Sequence, residues 1–197
     1  GYEDTTISAD PGAPLRITSY VATFGDSNTT VLGVIGWARD TRDSAIYPTR
    51  GAITRANLET GLPGGTLRFY KVSGEHKRYI PLSSTFTLYL NGEIGYGNGY
   101  DGLPLPFFRN FYSGGPTSVR GFSPGTIGPK DANGDPTGGN TKLVGNVELL
   151  FPLPGLPNDK SIRVSAFMDG GIIGSNYSFA NGDASAGMAV VYVSPFG

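Results

Sequence analysis

The sequence predicts an all-β protein built around an antiparallel sheet. Three observations lead to this fold class. Apolar and polar residues alternate with a period of two in several long segments, which is the pattern of strands with one apolar face. Gly or Pro interrupts nearly every window that a helix would need. The chain also holds 31 Gly and 15 Pro in 197 residues, together with 11 Phe and 11 Tyr, as a folded, turn-rich chain does.

The composition excludes several classes of protein. The 15 Lys and Arg nearly balance the 16 Asp and Glu, so no basic surface for nucleic acid is predicted. With no Cys and a single His, we expect neither a disulfide scaffold nor a zinc site, and no cofactor. No apolar run is long enough for a membrane-spanning helix, whereas a β-barrel span, whose pattern is alternation, stays possible. The chain begins without Met or a signal peptide, which predicts a mature or excised piece.

Strands are predicted for eight segments, several of them longer than a typical strand of a globular domain. In chain order they lie near residues 15–25, 30–40, 52–62, 67–80, 85–96, 142–151, 161–170 and 184–194. The alternation is clearest in 85–96, where Phe86, Leu88 and Ile94 share one face and Asn91 and Glu93 share the other.

The same parity places two acids on polar rows in the second half of the chain. In 142–151, Leu143 and Val147 oppose Glu148, and in 161–170 Met168 opposes Asp169. An apolar row facing lipid and a polar row facing a lumen would produce this alternation in an antiparallel transmembrane β-barrel. A soluble sandwich with one solvated face would produce it too. The connections favour the barrel, because a tight turn at 152–159 contrasts with a long loop at 97–140, as in barrels with short turns at one rim and long loops at the other.

The long loop carries an unusual number of apolar groups, among them Phe111, Val119, Phe122 and Ile127. A loop in water gains nothing from them, so we expect it to pack against another part of the protein. Within it, Phe111-Tyr112-Ser113-Gly114-Gly115 is followed by Val119-Arg120-Gly121-Phe122 and by Thr126-Ile127-Gly128-Pro129.

These motifs resemble a loop of the superfamily of outer-membrane barrel-assembly factors and two-partner secretion transporters, and the flanking residues favour its assembly-factor branch. The segment 36–43, with Pro48 and Gly51, resembles a strand, turn and next-strand junction of the family, and the segments 165–171 and 185–197 resemble later family strands in the same order. The similarity therefore covers essentially the whole chain. The resemblance implies that residues 1–197 form a single partial barrel domain, about eight strands of a sixteen-stranded barrel, with 97–140 as a long extracellular loop folded into the lumen. It also implies a fragment without the family's soluble POTRA domains and without its terminal strands.

The function implied by the resemblance is the folding and insertion of β-barrel proteins into the bacterial outer membrane, without enzymatic chemistry. The implied partners are unfolded outer-membrane proteins, outer-membrane lipid or lipopolysaccharide, and accessory assembly lipoproteins. Two alternatives stay open: a two-partner secretion transporter, and a passive porin, in which a loop arginine also faces acids across a pore.

The resemblance further implies the residues of the site. The loop motif is Gly114, Gly115, Val119, Arg120, Gly121 and Phe122. In the family the loop arginine meets acids of the barrel wall, and the matching acids here are Glu148 and Asp169, which the parity count independently places on inward rows. We therefore expect Arg120 to reach one or both, with Phe111, Tyr112 and Phe122 wedging the loop in place.

Two other patterns suggest different chemistry. A pair of carboxylates such as Glu148 and Asp169 is also what a glycosidase uses, but no aromatic sugar platform is organised around them in the sequence. Asp131, Asn133 and Asp135 imitate the start of a calcium-binding loop, yet Lys142 stands where the bidentate Glu should be. No catalytic, cofactor-binding or metal-binding residue is therefore predicted.

Overall fold

A computed structural model describes residues 1–10, 12–155, 162–174 and 182–192. Eight strands form one antiparallel sheet in which the strand order follows the chain order. The strands are β1 (Tyr2–Thr6), β2 (Ser27–Asp40), β3 (Gly51–Leu62), β4 (Phe69–Pro81), β5 (Thr87–Gly99), β6 (Thr141–Pro152), β7 (Ile162–Gly174) and β8 (Asp183–Tyr192). The fold class predicted from the alternation is confirmed. Residues 156–159 of the predicted tight turn, residue 161 and residues 193–194 of the predicted strands lie outside the described residues.

The predicted first strand, 15–25, is wrong, because Leu15–Phe24 forms a helix, α1. Its β-branched and aromatic composition favours a strand, but Ile17, Tyr20, Val21 and Phe24 have the i, i+3, i+4, i+7 spacing of one helix face. Pro14 precedes the helix, and Gly25, with φ of 85°, ends it. The sheet still has eight strands, because β1 forms one that was not predicted. Its sequence Tyr-Glu-Asp-Thr-Thr carries too few apolar residues to predict a strand.

The pairing register shows which residues share a face. Asn91 lies opposite Asn146, which lies opposite Asp169, so these polar residues occupy one face of β5, β6 and β7. Val147 lies opposite Met168 on the other face, where their side chains are 48% and 67% exposed. We call the polar face inward and the apolar face outward.

The connections differ between the two ends of the sheet. One end carries the turns 41–50 and 82–86, and the other carries α1 and residues 100–140, which we call the inward loop. Tyr20 of α1 packs edge-on against Phe107 and Phe108 of that loop, with ring centroids 5.4 and 5.9 Å apart. The inward loop thus packs against helix α1 as well as against the sheet. No helix in the described part of the chain is long and apolar enough to cross a membrane.

Candidate functional site

The guanidinium of Arg120 joins the inward loop to two neighbouring strands. Its Nε and Nη2 donate to the two carboxylate oxygens of Asp169 on β7, at 2.7 and 2.8 Å. Its Nη1 donates to Oε1 of Glu148 on β6 at 2.6 Å, and the Arg120 backbone N–H donates to Asp169 Oδ2 at 3.0 Å. A planar fork that meets one carboxylate with two bonds is the strongest geometry an arginine can offer. The structure therefore brings together the three charged residues that the sequence singled out.

The three charges are largely withdrawn from solvent. The Asp169 side chain has no exposed area, while those of Glu148 and Arg120 are 10% and 19% exposed. The Arg120 guanidinium also lies over the ring of Phe167, 3.7 Å from its centroid, which adds a cation–π contact. The hydrogen bond with Asp169 raises the pKa of Arg120 above its ordinary value, although partial burial opposes this. The guanidinium therefore stays charged between its acids.

Neutral side chains on and around this ionic group form further hydrogen bonds. Ser165 Oγ donates to Glu148 Oε1 at 2.5 Å, and Asn146 Nδ2 donates to the Ser118 carbonyl of the loop at 2.6 Å. Asn91 Nδ2 in turn donates to Asn146 Oδ1 at 2.8 Å. Because buried polar groups are costly unless they are bonded, these contacts fix the orientation of the inward face that receives the loop.

An apolar cluster holds the loop beside the charges. It consists of Phe111, Val119, Ile127, Val144 and Ile173, with Phe122 packed against it. Val119 is completely buried, and Phe122 is half-buried. Tyr112 instead supports the loop from within, since its hydroxyl donates to the Thr137 carbonyl at 3.3 Å. The predicted wedge therefore consists of Phe111 and Phe122, and not of Tyr112.

The motif glycines shape the loop around the arginine. Gly114, Gly115 and Gly121 all have positive φ, at 110°, 90° and 86°. At Gly114 a Cβ would also lie 2.5 Å from the Ser123 carbonyl oxygen, so any other residue there would strain the backbone and clash with it. The Gly115 N–H donates to the Phe122 carbonyl at 2.9 Å, which closes the turn that presents Arg120.

Space for Val119 is provided by Gly171 on the inward face of β7. A Cβ at Gly171 would lie 2.9 Å from Val119 Cγ2. We expect Gly171→Val to destabilise the docked loop by about 1–3 kcal/mol, the usual cost of overpacking. Loss of amide hydrogen-exchange protection in residues 113–127 measures this effect.

The adjacent Gly170 supplies the matched control for that substitution. A Cβ at Gly170 would point outward, and the only atom within 4 Å of it would be the Asp183 carbonyl oxygen, at 3.7 Å. Gly170→Val should leave loop protection unchanged. Equal loss of protection in both variants would contradict the assignment of Gly171 to the space beneath Val119.

A second arginine of the inward loop, Arg109, was missed by the sequence analysis. Its Nη1 donates to Glu59 Oε1 on β3 at 3.0 Å, and its Nη2 donates to Glu3 Oε2 on the edge strand β1 at 2.6 Å. The guanidinium also lies 5.4 Å from the Phe69 ring centroid. One sequence signal could have identified Arg109: it is a basic residue in a loop that was predicted to face inward rows carrying acids. The loop is therefore anchored at both sides of the sheet, by Arg109 to β1 and β3 and by Arg120 to β6 and β7.

The segment that imitates a calcium loop forms a self-bonded turn. Asp131 Oδ1 accepts the backbone N–H groups of Asn133 and Asp135, at 3.0 and 2.9 Å. Lys142 pairs instead with Glu93 at 2.6 Å. Among the described residues, no group of three or more acidic or His side chains is arranged to hold a metal ion.

The sheet and the site together define a class of protein. Long antiparallel strands have an apolar outward face and a polar inward face, and a loop tied by arginines to inward acids lies on the polar side. This is the arrangement of an outer-membrane β-barrel with a loop folded into its lumen.

Comparison with known proteins identifies the family. The model of the Omp85 superfamily domain matches residues 1–197, and the chain belongs to this superfamily. It is 38% identical over 197 residues to the outer membrane protein assembly factor BamA of Neisseria meningitidis, with 93% of this chain and 25% of that protein covered. It is 40% identical over 121 residues to the mouse sorting and assembly machinery component 50 homolog, with 60% of this chain and 25% of that protein covered.

The fold agrees with a solved relative. The crystal structure of BamA from Haemophilus ducreyi lacking POTRA domains 1–3 matches with a TM-score of 0.79 and 26% identity, over 86% of this chain and 37% of that one. The predicted superfamily and the outer-membrane location are thus confirmed. The chain spans a quarter of the length of its Neisseria relative. Sixteen strands and absent POTRA domains stay predictions.

Proposed function

We propose that this chain is the loop-bearing part of an outer-membrane assembly factor, which folds β-barrel proteins and inserts them into the membrane without covalent chemistry. The observation that carries the proposal is the inward loop held by Arg120 against Glu148 and Asp169 within an Omp85 sheet. Similarity to BamA and to the sorting and assembly machinery component supports it.

The physical task of such a factor is to shield strand edges. In hydrocarbon an unpaired backbone N–H or C=O costs several kcal/mol, so an open sheet edge has to be paired before it meets lipid. A barrel scaffold kept in shape by an internal loop supplies a sheet on which an incoming strand can pair. The proposed partners are therefore unfolded outer-membrane proteins, the lipid and lipopolysaccharide around the barrel, and accessory assembly lipoproteins.

Conditional depletion of the full-length protein tests this function. We expect several unrelated outer-membrane barrels to fall in abundance together, while a lipoprotein that has no barrel stays constant. Quantitative mass spectrometry of isolated outer membranes measures both groups in one sample. Expression of the wild-type gene from a second locus should restore them.

The alternatives make opposite predictions in the same experiment. A two-partner secretion transporter would lose one exported substrate and leave the other barrels unchanged. A passive porin would show steady ion conductance in planar bilayers, and its depletion would not affect assembly. Either outcome would replace the proposed function.

A further inference from the structure

A polar cavity of about 430 Å³ lies at the short-turn end of the sheet, away from the inward loop. Residues of the turns 41–50 and 82–86 and the starts of β5 and β7 line it, among them Asp43, Tyr47, Ser84, Thr87 and Arg163. The turn 41–50 contains residues that resemble the family, among them Pro48, and the proposed function does not use it. The cavity is thus separate from the Arg120 site.

Arg163 is the buried cation of this cavity. It is 8% exposed, and its Nε has no hydrogen-bond partner among the described residues. Within the same part of the chain, no carboxylate forms an ion pair with it, whereas Arg55, Arg109 and Arg120 on the inward side each have one. A buried charge without a partner is costly, which favours an anion in the cavity.

Two acids in this part of the described chain, Asp43 and Glu148, already accept other hydrogen bonds. Asp43 accepts the Thr49 N–H, the Thr49 hydroxyl and the Arg50 N–H, at 2.9, 2.5 and 3.1 Å. The side-chain hydrogen bond from Thr49 lowers the pKa of Asp43 to about 2. Glu148, on the strand beside Arg163, already accepts from Arg120 and Ser165.

The surroundings of Arg163 are held in a fixed geometry. Tyr47 stacks on its guanidinium, with the ring centroid 3.5 Å from Cζ. The turn that carries Tyr47 is closed at Gly51, where φ is 101° and a Cβ would lie 2.2 Å from the Thr41 carbonyl oxygen. Stacking fixes the plane of the guanidinium, whose edge has the geometry to bind a planar acceptor such as a carboxylate.

We propose that this cavity binds a carboxylate group carried by a polypeptide segment, with Arg163 as the cation and the hydroxyls of Ser84 and Thr87 beside it. A single cation in a cavity that Asp43 also lines suits a singly charged carboxylate better than a doubly charged phosphate. Three of its lining residues, Thr87, Leu150 and Arg163, lie on the inward face of the sheet, which favours a polypeptide over lipid as the source. The carboxylate comes either from another segment of the longer protein or from a separate polypeptide, and this site does not depend on the proposed assembly function.

Photo-crosslinking in the full-length protein tests the proposal. We would place p-benzoylphenylalanine at Thr85, which lines the cavity, and as a matched control at Ile46, which lies on the turn 41–50 outside the lining and is 63% exposed. Cross-linked peptides are identified by mass spectrometry of outer membranes. We expect Thr85 to capture a segment with an Asp or Glu at the contact, and Ile46 not to capture it.

Variants of Arg163 show whether capture of the segment at Thr85 depends on the positive charge of Arg163. Arg163→Gln should lower the yield of the cross-link at Thr85 at least about tenfold, and Arg163→Lys should keep part of that yield. A cross-link within the same polypeptide, outside residues 1–197, assigns the carboxylate to the longer protein, and a cross-link to a second polypeptide assigns it to a partner. An unchanged cross-linking yield in Arg163→Gln would overturn the proposal, and so would a cross-link to residues 156–161, which include Asp159.

Migration of unheated samples in gels shows whether each variant is folded. If Arg163→Gln does not fold, competition in the otherwise unchanged protein decides. Acetate should then reduce capture at Thr85, and acetamide at the same concentration should not. Equal effects of the two compounds, or none from either, would overturn the proposal.

Discussion

Replacing Arg120 by Ala is expected to release the inward loop from β6 and β7. The substitution leaves Glu148 and Asp169 buried next to each other without their cation, and breaking a buried pair in this way costs about 3–5 kcal/mol. Opening of the docked loop should become roughly a hundredfold or more easier. Hydrogen exchange of the amides in residues 113–127 of the full-length protein measures the change, because the Arg120 N–H itself donates to Asp169.

Three further variants separate the ionic interaction from general damage. Adding Asp169→Asn to Arg120→Ala removes one of the two unpaired charges, so the double variant should be more protected than the single one. Arg120→Lys should recover only part of the protection, because an ammonium cannot form the bidentate contact. Arg68→Ala breaks the more exposed pair with Asp101 and should cost less than about 1 kcal/mol. If Arg120→Ala and Arg68→Ala behaved alike, the Arg120 pair would not hold the loop.

An arginine introduced on the outward face is expected to destabilise the barrel strongly. Val147 lies in the middle of β6 and points outward, so Val147→Arg should cost about 2–4 kcal/mol if its depth is near the bilayer midplane. Urea titration of folding into lipid vesicles measures the free energy. Leu88, predicted to face lipid, is the second residue of β5, and Leu88→Arg should cost only about 0–1 kcal/mol near the interface.

The matched inward control is Asn57, which is exposed in the middle of β3 between Arg55 and Glu59. Asn57→Arg should cost far less than Val147→Arg, because the new charge remains on the polar face. Asn91 is less suitable, since it is 8% exposed and bonded to Asn146. Equal losses of folding free energy at Asn57 and Val147 would contradict the assignment of the inward and outward faces.

The sheet was largely predictable from the sequence, because the alternation of side chains along a strand is a local property. Parity alone placed Glu148 and Asp169 inward, and the register places both there. The approach of Arg120 to them followed only from the family resemblance, since no local pattern carries a loop across a lumen. Helix α1 was missed because β-branched composition and helical spacing conflict within the segment.

The other contacts between distant residues could not be predicted. Arg109 reaches Glu3 over a separation of 106 residues, and no periodicity links those two positions. The same holds for Tyr47 and Arg163, whose stacking depends on how the turn 41–50 folds across the end of the sheet. Such pairings are decided by tertiary packing and not by local sequence.

The double anchoring of the inward loop has a consequence for the order in which the chain folds. Every strand pairs with its neighbour in sequence, so the sheet can grow as successive hairpins. Most of them close a short stretch of chain, and the longest connection is the inward loop between β5 and β6. The loop cannot settle in that way, because the acids that hold Arg120 lie 28 and 49 residues downstream and the acid on β1 lies far upstream. Synthesis of β6 and β7 must come first. Docking of the loop therefore comes late, after the strands on both of its sides are in place, and it marks the point at which this part of the sheet is complete.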